Sequence, residues 1–144
     1  MWGKEVLTPR LTAWFGKREH HIHVAHPWTK ELLNIKEMVE PPCGTTFNSV
    51  LLNYYRDGND SVAWHADDEP ELGTNPVIAS VNLGQARRFD VRHKNNHAEK
   101  YSVDLAHGSL LIMRGDLQHN FEHQIAKSSK PMKARINLTF RVIH

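Results

Sequence analysis

A single cysteine, Cys43, stands among the 144 residues of the chain, so an internal disulfide framework is excluded and a reducing compartment is expected. No apolar run approaches the roughly 18 residues that a membrane-spanning helix needs. The first ten residues, MWGKEVLTPR, lack the long apolar stretch of a secretory signal. These absences predict a soluble intracellular protein, cytoplasmic or nuclear, with no membrane partner. Repeats, low-complexity tracts and linkers are also missing, so the chain is read as one domain spanning 1–144. Charge of one sign is scarce: a net charge of +2 leans only faintly toward anionic partners. A monomer is expected.

What is present is an ordinary globular balance, 40% hydrophobic and 24% charged, with an unusual 11 histidines. One early helix is predicted. Pro27-Trp28-Thr29 opens it, Leu32, Ile35, Met38 and Val39 form its apolar stripe, and Pro41-Pro42 stops it. Cys43, beside those prolines, reads as a loop residue without chemistry. Short strands follow, separated by turn residues, at 47–55, 61–65, 77–83, 87–93, 101–105, 109–113, 121–125 and 135–143. Strands at this spacing with one flanking helix predict a mainly β fold, a sandwich or jelly roll.

The strand period of two sorts the last segment sharply. Arg135, Asn137, Thr139 and Arg141 share one face, and Ile136, Leu138, Phe140 and Val142 share the other. Two arginines opposite a solid apolar face suit an anion-binding pocket, the alternative being a solvated outer face. Asn53 and Tyr55 likewise share one face of an otherwise apolar strand.

The ordered set His65-Ala66-Asp67, then His123, then Arg135 to Arg141 carries the chemistry. Two imidazoles and a carboxylate on one face of a metal leave the opposite positions open, the ligand set of non-haem Fe(II) oxygenases rather than of closed zinc sites. An arginine further on matters because 2-oxoglutarate, the usual co-substrate of such iron, carries a distal carboxylate that a guanidinium grips bidentately. His-x-Asp alone is weak, since about half of one such tripeptide is expected by chance from this composition. Its rival His97-Ala98-Glu99 sits in the polar run 93–97, which reads as an exposed hairpin tip. His123 is preferred to His119 because it lies inside an apolar strand that directs its side chain. His107 belongs to a turn, and His20, His21, His23 and His26 read as solvated or substrate-facing.

The motifs FNSVLLNYYRDGNDSVAWHADDEPEL (47–72), IASVNLG (78–84), HGSLLIM (107–113) and RINLTFR (135–141) together resemble the AlkB family of Fe(II)/2-oxoglutarate-dependent nucleic-acid dealkylases. The resemblance implies a double-stranded β-helix, a jelly roll of the cupin kind. It implies iron ligands His65, Asp67 and His123, and a 2-oxoglutarate pocket of Asn53, Tyr55, Arg135, Asn137 and Arg141. Six strand residues span about 20 Å, and each arginine reaches inward, leaving a gap suited to a short dicarboxylate. PRLTAWFG (9–16) looks like the substrate lid of members that repair 1-methyladenine and 3-methylcytosine, so 1–26 is read as lid and 27–144 as core. Asp68 and Glu69 match the acidic pair that reads the damaged base.

Alkylated DNA or RNA is therefore the expected partner, with Trp14 and Phe15 stacking and Arg10 and Arg92 meeting phosphates. The implied reaction converts 2-oxoglutarate and O₂ to succinate and CO₂, hydroxylates an N-methyl group and releases formaldehyde. One departure bears on the substrate. An aromatic hairpin of the family is replaced here by the shorter 17–23, where His21 or His23 would stack instead. Two other classes stay open: an oxygenase of the same core acting on a protein or small molecule, and a non-catalytic nucleic-acid-binding module. The second predicts loss of an iron ligand, and all three are present.

Overall fold

The computed structural model describes residues 10–144. Its elements run β1 (Leu11–Gly16), α1 (Lys30–Cys43), β2 (Ser49–Tyr55), β3 (Val62–His65), a 3₁₀ turn (Pro70–Leu72), β4 (Ile78–Gly84), β5 (Arg87–His93), β6 (Asn96–Leu105), β7 (Ser109–Met113), α2 (Leu117–Asn120), β8 (Phe121–Ile125) and β9 (Arg135–Arg141). Two antiparallel sheets result, a major one ordered β1-β2-β9-β4-β7 and a minor one ordered β3-β8-β5-β6. This is the jelly roll that the strand spacing predicts. Among the described residues no helix is long and apolar enough to cross a membrane.

Strand β9 shows why the alternation matters. It is paired on both edges, to β2 and to β4. Its apolar face, with Leu138 and Phe140, packs with Leu32, Val39 and Cys43 of α1. Its polar face is equally dry, Arg135 being 2% and Arg141 4% exposed. The solvated-face alternative is thereby excluded. A second apolar cluster of Tyr55, Ile78, Phe89, Leu105, Met113 and Ile125 joins the two sheets.

Several expectations need correction. Helix α1 is opened as predicted, with Thr29 Oγ1 accepting the Leu32 N–H at 3.1 Å, but it runs through Pro41 and Pro42 to a left-handed Gly44. The two prolines cost the carbonyls of Glu37 and Met38 their helical partners. Both of those residues are exposed, so water can serve them. Met38 is 74% exposed and leaves the apolar stripe, while Cys43 joins the core at 5%. At about 100° per residue, Val39 and Cys43 return to the side of Leu32, whereas Met38 lies about 120° away.

The segment read as a lid contains a strand. Strand β1 pairs along its length with β2, from Leu11↔Tyr54 to Gly16↔Ser49. Gly16 ends it at φ +79°, where a Cβ would lie 2.6 Å from the Asn48 carbonyl and 2.8 Å from the Trp28 ring. Pro9, the first residue of that motif, lies outside the described residues. Strand β6 begins at Asn96 rather than Tyr101, because a solvated edge strand shows no apolar alternation. His119 lies in the short helix α2.

A candidate metal centre and anion pocket between the sheets

Adjacent strands of the minor sheet bring the histidines together. His65 ends β3 and His123 lies in the middle of β8 as its direct register partner, with ring centroids 4.3 Å apart. Asp67 follows two residues later, its N–H donating to Gln118 Oε1 of α2 at 2.8 Å. That bond ties the loop to α2. Asp67 Oδ1 lies 4.0 Å from His65 Nε2, and Oδ2 lies 3.6 Å from His123 Nε2. The three side chains can present donor atoms all within 4.8 Å of one another.

Protonation states suit a metal. A carbonyl only accepts, so the 2.7 Å contact between His65 Nδ1 and the Ala63 carbonyl is an Nδ1–H donation. It leaves Nε2 with its lone pair toward the centre. Burial, helped by His123, lowers the His65 pKa and favours the neutral ligand form. Burial alone would raise Asp67, but Arg141, His123 and His65 outweigh it and hold this carboxyl well below the usual range.

Across a cavity of about 490 Å³ stands Arg135. Its Nη2 donates to Asn82 Oδ1 at 2.6 Å, and its guanidinium lies 4.8 Å from the Tyr55 ring centre. Nε and Nη1 are buried without a partner. Burial lowers its pKa, so the charge is held at a cost. Among the described residues no carboxylate neutralises it, and a buried guanidinium with idle donors calls for an anion.

A polar chain backs this pocket. Arg10 Nε donates to Asn53 Oδ1 at 2.8 Å, Asn53 Nδ2 to Asn137 Oδ1 at 3.4 Å, and Asn137 Nδ2 to Ser80 Oγ at 2.7 Å and to Asn82 Oδ1 at 3.1 Å. Arg141 occupies the other end. Its Nη2 is 3.9 Å from Asp67 Oδ1 and its Nη1 is 3.4 Å from Glu19 Oε1, while its Nε has no partner.

The substrate-facing expectations divide. Arg10, Trp14 and Glu69 line the cavity. Phe15 does not. Alternation on β1 turns it to the outer face, against the α1 cluster and 5.3 Å from the His26 ring. Asp68 is exposed and pairs with Lys94 at 3.3 Å. Arg92 lies on the outer face of the minor sheet, paired to Glu122 at 2.6 Å and 4.0 Å from the Trp64 ring centre. Of the two histidines expected to stack, His21 lines the cavity and His23 does not.

His97 and Glu99 are exposed on β6, and His119 is exposed on α2. His107 Nδ1 accepts the Gly84 N–H at 2.8 Å. Sequence reasoning missed Ser80, Asn82 and Glu19. The first two share the inner parity of β4, a polar pair in an apolar strand that the β9 argument would have found. Glu19 has no local signature.

An antiparallel double-stranded β-helix with two histidines on paired strands, a carboxylate in the loop that follows one of them, and a buried arginine in the same cavity defines a class of metal-binding jelly roll. The family model described as the 2OG-Fe(II) oxygenase superfamily matches residues 5–141, and the chain belongs to that superfamily. Within it the chain is AlkB-like. It is 41% identical to the alpha-ketoglutarate-dependent dioxygenase alkB homolog 3 of Rattus norvegicus, over 94% of this chain and 50% of the relative. It is 40% identical to the DNA oxidative demethylase ALKBH2 of Homo sapiens, over 81% of this chain and 48% of that protein. The chain thus spans about half the length of the curated relatives it matches. The solved structure of OsALKBH1 shares the fold with a TM-score of 0.63 at 20% identity, covering 81% of this chain and 67% of that one.

Proposed function

We propose that this chain is a single-domain Fe(II)- and 2-oxoglutarate-dependent oxygenase that oxidatively demethylates alkylated bases, 1-methyladenine and 3-methylcytosine, in DNA or RNA. The observation that carries the oxygenase reading is one cavity holding His65, Asp67 and His123 on one wall and the anion-lacking Arg135 on another. The names of its relatives support the substrate class.

In this reading Fe(II) is held by the three side chains and, with 2-oxoglutarate and O₂, supplies the oxidising power that turns the N-methyl group into formaldehyde. Everything else falls to the protein. The carboxylate of Asp67 gives the ligand set its single negative charge. Arg135 grips the distal carboxylate of 2-oxoglutarate through its idle donors, and Tyr55, Asn53 and Asn137 shape the pocket. Arg141 steadies the negative charge at the metal end. Phe89, Leu105, Met113 and Ile125 keep water from the inner wall.

A base inside a duplex cannot reach this cavity, so it enters flipped out or from a single strand. Trp14 and Arg10 border its path. We place the protein in a reducing intracellular compartment, a reading supported by the lone free Cys43 and by the need to keep iron ferrous, and read it as a monomer.

The test is formaldehyde release from oligonucleotides carrying 1-methyladenine or 3-methylcytosine, with Fe(II) and 2-oxoglutarate supplied. Succinate and formaldehyde in equal amounts are expected. Succinate formation that no methylated oligonucleotide stimulates would hand the substrate to a protein or small molecule.

A further inference from the structure

Arg87 is a second buried guanidinium without an anion. It opens β5, where the alternation that turns Phe89 inward turns Arg87 inward as well, and it is 2% exposed. Its donors go to main-chain oxygens. Nη1 donates to the Asp57 carbonyl at 3.2 Å, and Nη2 donates to the carbonyls of Asp60 at 3.0 Å and Ala126 at 2.9 Å. The Asp60 carboxylate is engaged elsewhere, accepting Arg56 Nε at 2.8 Å and Nη2 at 3.0 Å. Among the described residues no carboxylate forms an ion pair with Arg87, and burial lowers its pKa.

Two turns meet at this side chain. Asp57 and Asp60 follow β2, and Ala126 follows β8. The Ser128 N–H donates to the Gly58 carbonyl at 2.8 Å, and a Cβ on Gly58 would lie 2.6 Å from the Ser128 carbonyl. With both turns docked, Arg87 has a fixed place under Tyr55. That ring is 3% exposed. Its centre lies 5.6 Å from the Arg87 guanidinium and 4.8 Å from that of Arg135, both within cation–π reach. Tyr55 and Arg135 are register partners and line the cavity, whereas Arg87 does not line it. Its charge therefore stands one layer behind the wall.

Positive charge is in excess here. Two buried arginines share one aromatic ring, and neither has a carboxylate. After burial, the charge of Arg87 also lowers the Arg135 pKa. An anion reaching the idle Nε and Nη1 of Arg135 would offset both the desolvation and the repulsion.

We infer that Arg87 is a positioning residue of the co-substrate pocket, holding the Tyr55 ring against Arg135 and adding its charge behind the distal carboxylate of 2-oxoglutarate. The inference rests on the oxygenase reading above. Arg87 touches neither metal nor co-substrate and acts through Tyr55. The planar fork is what the place requires, because one side chain must satisfy three carbonyls and still lie over a ring.

The alternative is a staple that only docks the two turns. A staple would act on stability without regard to the charge of the ligand, so the distal carboxylate is the discriminating probe. The experiment uses the whole chain with Mn(II), and calorimetry measures 2-oxoglutarate against 2-oxovalerate, in which a methyl group replaces that carboxylate. Wild type is expected to prefer 2-oxoglutarate by at least about tenfold, the worth of a hydrogen bond to a charged group. Arg87→Gln should reduce this preference severalfold by weakening 2-oxoglutarate alone. Arg87→Lys, which keeps the charge and loses the fork, should reduce it as well and carries the test if Arg87→Gln does not fold. In a Tyr55→Leu background, Arg87→Gln should change the preference little. Arg56→Gln, which loosens the same turn from its exposed side, should leave it as in wild type.

An unaltered preference in folded Arg87→Gln or Arg87→Lys overturns the inference while leaving the oxygenase reading intact. Equal weakening of both acids, or an equal effect of Arg56→Gln, also overturns it by making Arg87 a staple. A full effect of Arg87→Gln in the Tyr55→Leu background would deny the action through Tyr55. Equal affinity of the wild type for the two acids would overturn the anion pocket and this inference together.

Discussion

Arg135 and Asn82 face each other across adjacent strands, the guanidinium donating through Nη2 to the amide oxygen at 2.6 Å. Asn82 is 1% exposed, and its oxygen also receives the Asn137 amide at 3.1 Å. Its amide nitrogen contacts the carbonyls of Ser80 and Ser109 at 3.3 and 3.4 Å. The side chain is therefore fixed, and it aims a buried cation without neutralising it. Register makes this possible, since Asn82 pairs with Asn137 and Gly84 with Arg135. Gly84, at φ +93°, leaves no room for a Cβ, which would lie 2.5 Å from the Ala134 carbonyl.

Arg135→Lys is expected to weaken 2-oxoglutarate by about 1–3 kcal/mol, because lysine keeps the charge but loses the planar fork. Metal affinity should be nearly untouched. Calorimetry of 2-oxoglutarate and of Mn(II) separates the two. Equal losses for both ligands would mean the pocket itself had collapsed.

Asn82→Ala should raise the 2-oxoglutarate KM by about tenfold with a smaller change in kcat, since the lost group aims Arg135 and touches no reacting atom. Thermal unfolding serves as the control. An unchanged KM in a folded variant would deny Asn82 its orienting role.

His65→Ala, Asp67→Ala and His123→Ala should each abolish turnover and cut metal affinity, because two ligands cannot hold the ion with open positions correctly placed. His119→Ala, altered on the exposed side of α2, should keep most activity. Metal titration of all four decides the ligand set, and loss of binding in His119→Ala but not in His123→Ala would reverse it.

Asp67 also predicts an acid dependence of the metal-free chain. Its carboxyl is held well below the usual range when folded, so it contributes stability above its unfolded value of about 4 and loses it as pH falls from there. Asp67→Asn should be less stable than wild type at neutral pH in EDTA, with the gap narrowing below about pH 4. Urea unfolding at neutral and acid pH measures it. A gap that stays constant with pH would mean that the carboxylate charge contributes nothing.

Outside the cavity, Asp68→Asn and Arg92→Ala should leave 2-oxoglutarate affinity and base preference as in wild type, since both side chains pair with neighbours elsewhere. Phe15→Ala should lower stability by about 1–3 kcal/mol through lost packing. Trp14→Ala should instead impair oligonucleotide binding. Parallel anisotropy and melting curves would expose any exchange of these roles.

Much of this was legible in the residues themselves. Strand alternation separates Arg135, Asn137, Thr139 and Arg141 from Ile136, Leu138, Phe140 and Val142 because the period of two is a property of the local backbone. His65 and Asp67, two apart at a strand end, are local in the same sense. Strand β6 was half hidden, since its first residues are solvated and carry no pattern. Phe15 could not be told from Trp14 as a cavity residue, because alternation says that they differ but not which face is inside.

Only the tertiary structure decided partners and depth. Arg141 meets Glu19 from 122 positions away and Arg135 meets Asn82 from 53. No local period encodes which distant chain segment closes a wall. The β9 polar face is an anion pocket rather than a wet surface because the minor sheet and the turn after β1 cover it. That cover arises from packing the two sheets, which buries apolar area summed over the whole chain. The residue types and their spacing were determined locally, while their desolvation, and hence their chemistry, was determined by the packing.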